Sequence, residues 1–71
     1  MNNFSAAKLR HSKWTAVHPR NREKHFLVTD LIRDEHEHVE KCIIEAVYSH
    51  REAVIDWREL QNSERWIQGW K

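Results

Sequence analysis

His25-Phe26-Leu27-Val28-Thr29-Asp30-Leu31-Ile32-Arg33, then Asp34-Glu35-His36-Glu37, then Val39-Glu40-Lys41-Cys42-Ile43-Ile44-Glu45-Ala46-Val47-Tyr48 is the stretch that decides the fold. Two runs rich in β-branched and aromatic residues flank a polar break of hairpin length, the pattern of two antiparallel strands. In the second run the even positions Cys42, Ile44, Ala46 and Tyr48 are all apolar, while the odd ones mix Val39, Ile43 and Val47 with Lys41 and Glu45. The first run behaves likewise, with Phe26, Val28 and Ile32 on one side and Leu27 and Leu31 on the other. A solvated flat sheet shows one clean apolar face. Two partly apolar faces imply a sheet that curls on itself, lies under the C-terminal segment, or docks onto a second copy.

Outward from this hairpin, Lys13-Trp14-Thr15-Ala16-Val17-His18 reads as an earlier strand stopped by Pro19, and 19–24 as a polar turn or loop. Ser49 to Glu52 forms the next tight turn, and Ala53 to Asp56 a fourth strand. Short polar connections between consecutive strands predict an antiparallel meander. Asp56 with Glu59 three residues later fits a capping box, so a short helical turn is expected over 57–62. Trp66 and Trp70, four apart, share one face in either regular conformation and read as a lid. The expected fold is thus mainly β: a four-stranded antiparallel meander, either open or curled towards a small barrel, with a short C-terminal helical turn. Residues 1–12 lack periodicity and are expected to be a loose arm on a single domain spanning 13–71.

A chain of 71 residues holds one small core. Cys42 is the only cysteine, so no disulfide staples it, and a single thiol suits a reducing compartment. Four tryptophans are the available staple, each able to bury about 150–250 Å². No apolar run is long enough for a signal-peptide core or a membrane span, and the expected location is the cytoplasm.

Catalysis and metal binding find little support. Cys42 lies on the apolar face of its strand, where a thiol is inert. His36 and His38 sit among Asp34, Glu35, Glu37 and Glu40, a solvated acidic turn without paired zinc-ligand spacing. With one glycine the chain has no phosphate-binding loop. No enzyme activity, metal or cofactor is expected.

Charge is uneven. Residues 1–29 carry six Lys or Arg against Glu23 alone, a net of +5, while residues 30–71 carry six against ten acidic residues, a net of −4. Lys8, Arg10, Lys13, Arg20, Arg22 and Lys24 flank Trp14, a composition suited to single-stranded RNA or DNA, where bases stack on rings and cations track phosphates. Against that, Trp14 fits a core position and the cations fit protection of an edge strand. The leading expectation is a non-enzymatic protein-interaction module, docking to another protein or to itself, with the nucleic-acid surface as the alternative.

Ser12-Lys13-Trp14-Thr15-Ala16-Val17, Lys24-His25-Phe26-Leu27-Val28, Ile55-Asp56-Trp57-Arg58-Glu59-Leu60, Arg65-Trp66 and Gly69-Trp70-Lys71 resemble a bacterial family of small tryptophan-rich proteins of unknown function. The resemblance runs from Ser12 to the end, the turns at 34–38 and 49–52 matching no fixed pattern. It implies a free-standing bacterial cytoplasmic protein and supplies no catalytic or binding residues.

Overall fold

The computed structural model describes all 71 residues. Five antiparallel strands form one open sheet: β1 (Lys13–Arg20), β2 (Glu23–Arg33), β3 (Val39–Ala46), β4 (Glu52–Asp56) and β5 (Trp66–Gln68). Their order across the sheet is β4-β3-β2-β1-β5. The mainly β meander expected from the sequence is present, with two differences. It does not close into a barrel, and the C-terminal tail contributes a fifth strand that pairs with β1 through Trp14–Gln68, Thr15–Ile67 and Ala16–Trp66. Three residues with two tryptophans nearby give no strand-length signal, so only the β1 edge could recruit them.

The imperfect alternation of β2 has a local cause. Val28 pairs with Ile44 but Asp30 pairs with Ile43, so Thr29 is an extra residue that reverses every side chain after it. Leu31 therefore turns inward to meet Cys42, and Ile32 turns out, 36% exposed. The inner face then reads Trp14 and Ala16 on β1, Phe26, Val28 and Leu31 on β2, Cys42, Ile44 and Ala46 on β3, and Ala53 and Ile55 on β4.

Two segments cover this face. One is a turn of 3-10 helix, Trp57–Gln61, whose Leu60 is fully buried. Asp56 caps it by accepting from the Arg58 amide at 2.9 Å, so the carboxylate end of the expected capping box is realised. The other is the N-terminal stretch, expected to be loose. Leu9 is buried, Phe4 packs edge-on against both Trp14 and Trp57 at 5.4 and 6.0 Å, and the Asn2 side chain donates to the Leu60 and Trp66 carbonyls. Aperiodic sequences pack as covering straps when single apolar residues fall opposite gaps, which no repeat pattern announces.

The tryptophans serve the interior as expected, with one reversal. Trp14 is 1% exposed and its indole N–H donates to Ser12 Oγ. Trp57 and Trp66 are half-buried against the core. Trp66 and Trp70, expected on one face, lie on opposite faces. Gly69, at φ +83°, turns the chain after β5, and Trp70 folds back over β1 and β2 on the outer side, beside Lys13 and His25. Only glycine adopts that backbone without strain.

Candidate functional site

Two surfaces are unusual, and they lie on opposite faces. The first is the outer face, which nothing in the chain covers except the Gly69–Lys71 tail at one side. There Lys71 N–H donates to Thr15 Oγ1, which in turn donates to the Gly69 carbonyl. An uncovered antiparallel face is normally polar. Here Leu27, Ile43, Val54, Ile32 and Ile67 point outward among the charges, and Val54 is 56% exposed. Trp70, 43% exposed, adds the indole of this face, with Lys13 Nζ 4.7 Å from its ring centroid.

A row of paired residues crosses this face: Glu52 on β4, Glu45 on β3, Leu27 on β2 and Lys13 on β1. Two carboxylates directly opposite each other repel. His50 offers partial relief, its Nδ1 lying 2.8 Å from Glu45 Oε2. This row is thus acidic at its β4 end, with Glu52 and Glu45, and basic at its β1 end, with Lys13, whereas Asp56 already faces Lys41 and pairs with Arg58.

The second surface is a cleft of about 340 Å³ on the other side of the sheet, at the β1–β2 turn. It arises from a register defect. Thr15 pairs with His25 and Arg20 with Glu23, so β1 spends four residues where β2 spends one. The surplus bows away from β2, and Val17 N–H donates instead to the Arg65 carbonyl beyond it. Pro19, expected to stop the strand, sits inside this bow, where its missing N–H costs no ladder bond. Ala16, Phe26 and Trp66 form an apolar wall, with the Phe26 and Trp66 rings edge-on at 5.2 Å.

The polar rim is anchored by Glu23, a carboxylate only 4% exposed. It accepts from Ser49 Oγ and from both Nε and Nη2 of Arg51, so the two turns at this end of the sheet are tied together. The Arg51 and Ser49 hydrogen bonds hold the Glu23 carboxyl below its ordinary value near 4.5. By contrast, the side chains of His18, Arg20 and Asn21 line the cleft without a hydrogen bond or ion pair of their own.

The basic residues singled out from the sequence are not gathered around a ring. Trp14 is buried in the core, so its faces are closed to a base. Lys8 and Arg10 precede β1, Arg10 lying 3.9 Å from Asp30, whereas Arg20, Arg22 and Lys24 cluster at its far end. Eight residues of strand separate these groups, on the order of 20 Å. The structure adds Arg51 and Trp66 to the second group, neither of which any sequence spacing connects to Arg20. No three His, Cys, Asp or Glu side chains converge as metal ligands. No helix is long and apolar enough to cross a membrane.

An open five-stranded antiparallel sheet, strapped on one face by aromatic side chains and bare on the other, defines the class of fold. Residues 12–71 match the family described as Tryptophan-rich protein (DUF2389), and the chain belongs to that family. No curated protein and no solved structure matches it.

Proposed function

We propose that this protein is a non-enzymatic interaction module that docks through the bare outer face of its sheet, and that the occupant is a second copy of the chain. The observation that carries this is the charge polarity of that apolar face. A two-fold axis along β2 sets Leu27 against Leu27 of the second copy and brings Glu45 opposite Lys13 of the second copy. The crowded Glu45–Glu52 pair then gains the cation it lacks within one chain. The molecule measures 37 by 25 by 15 Å, so the broad face has room for the roughly 800 Å² per partner of a standard interface. Sheets stacked this way pack about 10 Å apart with their apolar side chains interleaved.

Sedimentation tests it. A concentration-dependent dimer is expected, weakened at least tenfold by Lys13→Glu and by Glu45→Lys alone, and regained when the two are combined. A strict monomer at about 1 mM, or exchanges without effect on association, defeats the proposal. The reading of the chain as a nucleic-acid binder has less support, because the ring it relied on, Trp14, is enclosed.

A further inference from the structure

We propose that the cleft at the β1–β2 turn binds a small ligand that joins a flat unsaturated ring to one oxyanion group, a phosphate or a carboxylate. The ring fits the apolar wall of Ala16, Phe26 and Trp66, where the half-buried Trp66 leaves part of its surface open. The anion fits the rim. Arg20 has no partner in the chain, and Arg51 uses only Nε and Nη2 on Glu23, leaving Nη1 free to donate. With Glu23 neutralising one guanidinium, the rim carries one net positive charge, enough for one anionic group. The His18 and Asn21 side chains, both without a hydrogen-bond partner, supply further polar groups beside it. The volume, about 340 Å³, lies at the small end of the range for small-molecule sites, which excludes large ligands.

The backbone at this turn supports a built site. Arg20 and Glu23 close a two-residue hairpin in which Asn21 and Arg22 have φ of +55° and +62°. Asparagine accepts that conformation readily, but arginine at positive φ is uncommon. The bow in β1, the tight turn and the Glu23–Arg51–Ser49 tie together hold the mouth of the cleft open independently of any ligand. The site lies on the covered face of the sheet, away from the proposed docking face, so the two proposals stand separately.

Nuclear magnetic resonance of the four indole N–H signals, assigned with single Trp→Phe variants, reads the site directly. The probes are adenosine 5′-monophosphate for the phosphate source and indole-3-acetate for the carboxylate source. One or both are expected to shift the Trp66 signal saturably and leave Trp70 in place, with whichever binds identifying the oxyanion. Adenosine alone and inorganic phosphate alone are expected to bind at least tenfold more weakly. Arg20→Ala, which removes no side-chain hydrogen bond or ion pair within the chain, is expected to weaken binding about tenfold. Absence of a saturable Trp66 shift with both probes to about 5 mM overturns the proposal, as does equal binding by Arg20→Ala or by phosphate alone. Running the titration on Lys13→Glu as well keeps its outcome independent of association.

Discussion

Cys42, Glu23 and Trp14 show how single side chains take their properties from the sheet. Cys42 is fully buried on the inner face, and burial, with the charges of Glu59 and Asp56, pushes its thiol up to about 11. A thiol held protonated and out of reach does not react. Titration with a disulfide reagent at pH 8 is therefore expected to consume no thiol in the native protein and one after denaturation. Glu23 gives a pH dependence. Its folded carboxyl titrates below the unfolded value near 4.5, so its stabilising contribution is complete above that pH and lost as pH falls through the folded value. Thermal stability is expected to fall on acidification below about pH 4.5 more in the native protein than in Glu23→Gln, which starts less stable but lacks this titration. Trp14 was legible as a core residue from its β-strand context. The Glu23–Arg51 pair was not, because its partners are 28 residues apart and nothing in either local sequence marks the other.

At the scale of elements, strands and turns followed from local chemistry where one rule dominated. The runs 25–33 and 39–46 announce strands by β-branched content, and Asp34 rounds the turn between them by accepting from the amides of His36 and His38. Those amide bonds, His38 first, also hold the Asp34 carboxyl low. The irregular features were silent. The Thr29 bulge and the bow of β1 insert residues without any composition signal, yet they decide which side of the sheet Leu31 faces and where the cleft opens. Two substitutions test the turns. Arg22→Gly, at φ +62°, is expected to stabilise the protein by about 0.5–1 kcal/mol in urea unfolding, as relief of the left-handed strain outweighs the added unfolded-state entropy. Gly69→Ala is expected to destabilise by about 1 kcal/mol and release Trp70, seen as a red-shifted, more quenchable emission. At Gly69 a Cβ has room, its nearest contact being Lys71 Cε at 3.9 Å, so the cost comes from φ +83° alone.

For the molecule as a whole, the central fact is that one sheet has two unlike faces and only enough chain to cover one. The cover comes from both ends of the sequence at once, since Asn2 bonds to Leu60 and Trp66 and Phe4 wedges between Trp14 and Trp57. The N-terminal strap should therefore unfold together with the sheet. Leu9→Ala is expected to cost about 2–5 kcal/mol, with indole fluorescence and far-ultraviolet dichroism still reporting one coincident transition. A separate early transition of the N-terminal segment would contradict this cooperativity. By itself the sequence determined the antiparallel strands, the capped turn after Asp56, the structural use of tryptophan and the presence of two partly apolar faces. These depend on residues within a few positions of one another, through backbone preference and the two-residue period of a strand. Only the tertiary structure decided what covers the inner face, that β5 joins β1, that Trp66 and Trp70 part company, and that Arg51 meets Glu23 beside Trp66. Each of those depends on contacts between segments far apart in the chain, whose register is set by a bulge or a glycine turn and by which surfaces remain free once the strands have paired.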